Sequence, residues 1–496
     1  MKKKYMKLLI IFILGYIILG FIQFQSQNIV GTDAYYHIKY SYLTRTEGLI
    51  LEFPWWQTSV FSDGFADEYL FYHILLIPFT FFNLLFAAKL SSVFFGALVV
   101  ATMYFVLQGS GVKWPFLWSL LFLVSSTKFL YRLCFPRAIA LSIIIMLLLY
   151  FFLQKKKYWA QFILAFIFVW SFPGFYFAFG LLFVYLISNY FLEKQVDKKA
   201  IYYIVAGISS GIIINPYFPA NVIVFYAHGI HMILSFLHNS SLNVITENKA
   251  PTIVAFFKNS LIAHISFLFG IISLFVIRKK CSIVKQKKAL FTLLNPFLIT
   301  GFFFVLGLYM IRAVDYFVPF IFVFCSLSIT IALKCLRLKK KHKKFLPYFI
   351  ILLIILFAIV GYNNIKKSAN AIKHIRSSAR FHDCATWMKY EIPNNATVFH
   401  SSWDNFPELF FYNHNNYYLF GLTPDFIYVY DPELGKLYDD IRNGKIMFPA
   451  KDIKGSFNSS YVFIDNRYKT FERNLKYDKG TKLLFTGEEC RVYELY

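Results

Sequence analysis

Apolar runs of about 20 residues recur along this chain, each long enough to cross a hydrocarbon core of roughly 30 Å. Short stretches rich in lysine and arginine separate them. A backbone in lipid must satisfy its own hydrogen bonds, so each run has to be a helix. Basic clusters at 155–157, 194–199, 278–288 and 334–344 mark cytoplasmic loops by the positive-inside rule. Between them, spans fall near 8–24, 89–108, 113–129, 137–153, 158–171, 174–192, 200–217, 258–277, 289–308, 314–334 and 346–362. That is about eleven transmembrane helices, with the N-terminus cytoplasmic and the C-terminal segment outside. The first run follows Lys2, Lys3 and Lys4 and leads into Gln25, Ser26 and Gln27 with no small-residue cleavage site, which makes it an uncleaved anchor.

Composition agrees. Of 496 residues, 58% are hydrophobic and 21% aromatic, which excludes a disordered chain. The net charge of +25 would point to nucleic acid in a soluble protein. Here the lysines sit between apolar runs and no nucleic-acid fold motif accompanies them, so the partner they imply is a lipid bilayer and not nucleic acid.

Two apolar stretches are read as not crossing. If "YLFYHILLIPFTFFNLLFA", residues 69–87, crossed, the clusters at 155–157 and 194–199 would fall outside. Its Pro78 also kinks a helix, so it is placed against the outer leaflet. Residues 220–238, with His228, His231 and His238, are placed likewise. From about 365, charges and asparagines become frequent, and the strand-like runs "NATVFHS", "SYVFID" and "KLLFTG" alternate with turn residues. The expected fold class is therefore an α-helical polytopic membrane domain over 1–364, with a large first outer loop at 25–88, and an extracytoplasmic α/β domain over 365–496. The plasma (inner) membrane is the expected location. Cys384 and Cys490 fall near the two ends of the outer domain, and the sequence leaves open whether they are bonded.

In this topology the unusual polar residues gather outside. The first loop opens with "GTDAYYHIKYS" and carries Asp33, His37, Asp67, Glu68 and His73. The second outer loop, "STKFLYRLCFPRAIA", carries Arg132 and Arg137. Glu247 lies in "VITENKAPT", Arg312 and Asp315 in "IRAVDYFVP", and Trp403, Asp404 and Glu408 in "HSSWDNFPELFF". Charges at bilayer depth are costly unless they are paired or line a cavity. Acids facing arginines there fit a site for a lipid-linked phosphate. Each residue also has a plainer reading. Asp33 would N-cap a helix starting at Ala34, Arg312 would snorkel to the headgroups, Trp403 and Asp404 would be core and turn residues, and Trp55–Trp56 would form an interfacial aromatic belt.

The order and chemistry of these motifs resemble the glycosyltransferase-C superfamily, and most of all oligosaccharyltransferase catalytic subunits. "TDAYYHIKY" resembles that family's first-loop motif. "VITENKAPT" resembles its S-V-S-E-H-Q-P type motif, with Glu247 on the glutamate. "IRAVDYFVP" resembles the helix whose arginine holds the lipid pyrophosphate, and "ATWMKYEIPNNATVFHSSWDNF" resembles the start of its outer domain, leading into W-W-D-Y-G. Two departures stand out. The second outer loop, where the family carries an acidic metal-binding pair, reads "LCFPRAIA" with no acid. The W-W-D-Y-G position reads Ser402-Trp403-Asp404-Asn405-Phe406, with one tryptophan and no glycine.

The resemblance implies a polyprenyl-phosphate or polyprenyl-diphosphate sugar donor and a glycan, lipid or protein acceptor on the outer face. Asp33 and Glu247 would be catalytic, Arg312 and Arg137 would hold the donor phosphate, and Trp403 and Asp404 would bind the acceptor. A divalent metal, Mg²⁺ or Mn²⁺, would have to rely on Asp33, Asp67 and Glu68, because the second-loop ligands are missing. The competing class is a transporter or flippase for a lipid-linked glycan. Such proteins show internal repeats and broken mid-membrane helices, neither of which is apparent in the sequence.

Overall fold

A computed structural model describes residues 2–62, 64–231, 250–336 and 340–496. The chain is a multi-pass membrane protein with a small sheet-containing domain, and it packs into two units. The first comprises Met1–Ser26, Lys89–Gly211 and Ile245–His374; the second comprises Gln27–Ala88, Ile212–Val244 and Ile375–Tyr496.

Among the described residues, seven helices are long and apolar enough to cross a membrane, and eight if one bent pair counts as a span. Ile139–Gln154, Tyr158–Ser171 and Lys198–Ile213 fall where spans are expected but are shorter, at 16, 14 and 16 residues. Lys198–Ile213 comes close to Tyr158–Ser171 through a Gly207-x-x-x-Gly211 spacing: a Cβ built on Gly207 would lie 2.5 Å from the Phe162 carbonyl oxygen. Small residues at this spacing let helix backbones approach in lipid.

One expected span is broken. Pro115–Leu123 and Thr127–Leu133 meet at 85°. The polar triplet Ser125-Ser126-Thr127 interrupts the apolar run. Ser126 caps the second helix by accepting from the Phe129 N–H at 3.2 Å, and Asn364 donates to the exposed Val124 carbonyl at 2.9 Å and accepts from the Thr127 hydroxyl at 3.0 Å. A break at membrane depth is tolerated when its backbone groups find such partners.

In the second unit, Thr397–His400 (β1), Tyr417–Tyr418 (β2), Tyr461–Asp465 (β3), Thr481–Thr486 (β4) and Cys490–Leu495 (β5) form a sheet in the order β2-β1-β3-β5-β4. β1 runs parallel to β2 and β3, and β5 runs antiparallel between β3 and β4. A disulfide joins Cys384 in helix His382–Glu391 to Cys490 at the start of β5, which answers the question the sequence left open. The first loop extends the β2 edge: the N–H groups of Gln57 and Thr58 donate to the carbonyls of Tyr418 and Leu419 at 2.9 Å each. Trp55 and Trp56 are therefore not surface belt residues. Trp56 is buried among Tyr36, Phe61, Phe406 and Phe426, and the Trp55 indole donates to the His414 carbonyl at 2.7 Å. Of residues 69–87, Leu70–Leu76 form a seven-residue helix running into a 3-10 turn, Ile77–Phe81, that starts beside Pro78, and Leu84 onward opens the long helix Leu84–Gly109. The Leu70–Phe81 element is too short to span a bilayer.

Candidate functional site

In the first unit Arg132 of the second loop meets the "IRAVD" segment. Arg132, on Thr127–Leu133, grips Asp315 through three hydrogen bonds: Nε to Oδ1 at 2.7 Å, Nε to Oδ2 at 2.9 Å and Nη2 to Oδ2 at 2.7 Å. Both side chains are buried, and the carboxylate neutralises the guanidinium so that each tolerates the low dielectric. A second brace joins the Ser142 hydroxyl to the Tyr316 hydroxyl. Together they hold the start of helix Ile139–Gln154 beside the start of helix Val314–Cys335. The two starts are alike. Each has an alanine at the N-cap, Ala138 or Ala313, which makes no side-chain capping bond, and each is preceded by an arginine, Arg137 or Arg312; Val314–Cys335 continues from a 3-10 turn, Ile311–Ala313, that takes up the Val314 N–H. Both arginines are half-buried. Helix starts offer N–H groups and the positive end of the dipole to an anion, and two guanidiniums add planar forks suited to phosphate oxygens.

In the second unit, Gly31 turns the chain with φ at 82°, a left-handed angle that glycine adopts without strain. Helix Asp33–Glu47 follows, with Thr32 at its N-cap. Asp33 is the first helical residue rather than the cap, is half-buried, and accepts from the Thr32 hydroxyl at 3.4 Å. One turn on lies His37, whose Nδ1 meets His73 Nε2 at 2.8 Å; His73 Nδ1 in turn meets Asp67 Oδ2 at 2.7 Å. The other Asp67 oxygen accepts from the Tyr69 N–H at 2.9 Å. Where a neutral His73 donates from Nδ1 to the carboxylate, its Nε2 is left to accept from His37 Nδ1. The chain Asp67–His73–His37 is buried, with the Tyr36, Tyr40, Tyr69 and Tyr72 rings around it. Asp67 is thus committed to a histidine. Among the described residues, Asp383, Cys384 and Cys490 form the only group of three such ligand atoms close enough to hold an ion, and two of those sulfurs share a disulfide. Asp33, Asp67 and Glu68 form no such group. Glu247 lies outside the described residues.

Trp403 and Asp404 lie in a 3-10 turn, Trp403–Asn405, after β1. Trp403 packs on the core of the sheet domain. Asp404 belongs to a charge network. Arg467 Nη2 bridges Asp404 Oδ2 at 3.1 Å and Asp465 Oδ2 at 2.6 Å, while Arg380 meets Glu408 at 3.0 Å and Asp465 at 3.6 Å. Burial alone would raise the Asp404 carboxyl, but the charge and hydrogen bonds of Arg467 hold it below its ordinary value. Burial pushes Glu408 the other way, from an ordinary 4.5 to about 7; Arg380 opposes this, and Asp404 and Asp465 add to it. Sequence reasoning missed Arg380, Asp465 and Arg467. The one local signal is "FIDNRY", where Asp465 and Arg467 stand at the end of β3.

Neither protein-family models nor curated protein sequences match the chain. Solved structures do. The Archaeoglobus fulgidus oligosaccharyltransferase, tethered with an acceptor peptide containing the NVT sequon, matches with a TM-score of 0.63 and 12% identity, over 99% of this chain and 74% of that one. ArnT from Cupriavidus metallidurans, bound to undecaprenyl phosphate, gives 0.57 and 11% over 98% and 97%. The arabinofuranosyltransferase AftD from Mycobacteria gives 0.57 and 10% over 98% and 40%. The fold is the glycosyltransferase-C fold. The second outer loop, "LCFPRAIA", carries no acid in this chain. Asp404 is paired with Arg467.

Proposed function

We propose that the protein is a membrane glycosyltransferase that moves a sugar or oligosaccharide from a polyprenyl-phosphate or polyprenyl-diphosphate donor to an acceptor on the outer face. The observation that carries this reading is the pair of braced helix starts, each led by an Arg-Ala step, which suits the oxygens of a lipid phosphate. The fold supports a transferase over a flippase, and one neighbour of that fold was solved with undecaprenyl phosphate.

The reaction is a single displacement. The acceptor atom bonds to the anomeric carbon and gives its proton to Asp33. The bond from that carbon to the lipid phosphate breaks, with the electron pair going to the phosphate oxygen. Arg312 and Arg137 stabilise the charge that develops there, as fixed cations do at a leaving group. Glu247 is kept as a second catalytic carboxylate, and Trp403 with Asp404 as the acceptor side. Asp404 contributes through its pairing with Arg467, so a hydroxyl acceptor has to meet that ion pair rather than a bare carboxylate. A divalent metal finds no preformed three-acid set among the described residues.

The test is binding of undecaprenyl phosphate to purified protein by native mass spectrometry. Arg312→Lys keeps the charge but loses the fork and should weaken binding, and Arg312→Ala should weaken it further. Parent-like binding by both would leave Arg312 as a snorkelling anchor and sink the assignment.

A further inference from the structure

The described residues hold two disulfides. Cys384–Cys490 lies in the sheet domain, and Cys281–Cys335 joins two membrane helices. Cys281 follows the last residue of Leu261–Lys280, and Cys335 is the last residue of Val314–Cys335. Their Cα atoms are 5.2 Å apart, within the range a bridge needs. Both C-terminal turns are basic, with Arg278, Lys279 and Lys280 in one and Lys334 in the other. The clusters 278–288 and 334–344 run on from these two turns. By the positive-inside rule this end faces the cytoplasm. Between Cys335 and Cys384 the chain passes through one candidate span, Ile351–Lys373, so the two bridges belong to opposite sides of the membrane. Disulfides persist in oxidising compartments and are reduced in the cytosol. The burial of the two pairs differs in the same sense: Cys384 and Cys490 are fully buried, whereas Cys281 and Cys335 are half-buried. Less enclosed bridges exchange more readily than fully buried ones.

We propose that Cys281 and Cys335 form a reversible thiol-modification site on the cytoplasmic face, a dithiol at rest that low-molecular-weight disulfides oxidise to the bridge. One cysteine thiolate attacks a sulfur of the small disulfide, forming a mixed disulfide and expelling one small thiol. The second cysteine attacks the protein sulfur of that mixed disulfide and expels the other small thiol. Two protein thiols are oxidised, one small disulfide is reduced, and the two cysteine protons leave on the small thiols. The bridge ties the cytoplasmic ends of two helices, and reduction frees them. This inference does not depend on the transferase reading.

The test uses the full-length parent protein in intact cells with a reducing cytosol. Free thiols are blocked with N-ethylmaleimide. The protein is then purified, denatured, reduced and labelled with isotopically heavy maleimide, and each cysteine is scored by mass spectrometry. In untreated cells Cys281 and Cys335 should carry the first label at a ratio at least about tenfold above that of Cys384 and Cys490. After brief diamide treatment, which raises the oxidised glutathione pool, both should switch to the heavy label while Cys384 and Cys490 stay unchanged. If Cys281 and Cys335 are as protected as Cys384 and Cys490 in untreated cells, the bridge is permanent and the proposal fails. It also fails if both still carry the first label after diamide.

Discussion

Replacing Asp315 by alanine would leave the Arg132 guanidinium buried without its carboxylate. Three hydrogen bonds of 2.7–2.9 Å would go at once, in a place where both side chains are almost fully enclosed. Removing one partner of a buried pair costs about 3–5 kcal/mol, because the survivor keeps its desolvation penalty. That corresponds to roughly two to three and a half decades in the folding equilibrium. Replacing both residues with apolar ones of similar size, Arg132→Met with Asp315→Leu, should recover most of the stability, since an ion pair in a core is nearly neutral against good packing. Undecaprenyl phosphate binding should not recover, because the ion-pair brace beside Arg137 and Arg312 is gone and the Ser142–Tyr316 bond alone is left to hold the two helix starts. Steric trapping in bicelles measures the first quantity and native mass spectrometry the second. If Asp315→Ala is as stable as the parent within about 0.5 kcal/mol, the pair is not buried as described. Parent-like lipid binding by the double variant would refute the claim that the brace builds the phosphate site.

Asp33→Asn keeps size and shape but loses the base; membrane insertion should be intact while transfer from the donor falls by at least about 100-fold, and normal turnover would reduce Asp33 to a helix-start residue. Gly207→Ala places a methyl group against the Phe162 backbone and should cost about 1–3 kcal/mol, whereas Gly180→Ala meets nothing within 4 Å and should be neutral or better in the same unfolding assay. Glu408, with its folded value raised to about 7, binds more protons folded than unfolded between its ordinary value and 7, so its contribution to stability falls as pH rises through that window and the loss is complete above it. Glu408→Gln removes this term: thermal melts of parent and variant should agree near pH 5 and diverge in favour of the variant by pH 8, and parallel curves would show that Glu408 ionises normally.

The helices were legible because an apolar run in lipid has only one regular backbone available. The break at 124–126 was not, since three small polar residues inside such a run read as ordinary helix until Asn364, far along the chain, supplies the partner. Within the candidate site, residue types were legible and pairings were not. Arg132 and Asp315 are both conspicuous charges beside apolar runs, but nothing local says that they bind each other rather than lipid. Asp404 finds its cation in Arg467 and Asp67 its partner in His73, and in both cases the fold, not the motif, brings the partners together. Trp55 and Trp56 looked like belt residues because a tryptophan pair after a span is common at interfaces; only the pairing of their loop segment with Tyr418 buries them.

That pairing also orders the protein's assembly in time. The first loop leaves the ribosome early, but the strand it must join, at Tyr417–Tyr418, is made more than three hundred residues later. Contacts so distant in sequence make folding slow, since a long stretch of chain must be brought together before any of them forms. Through all that time the backbone donors of Gln57 and Thr58 wait without their strand. A nascent chain stopped anywhere before β2 has a first loop with nothing to pair with, and an isolated fragment of 375–496 lacks both the first-loop segment that pairs with β2 and the Asp33 helix. Expression of the sheet domain alone should therefore give a protein with an open, adhesive edge.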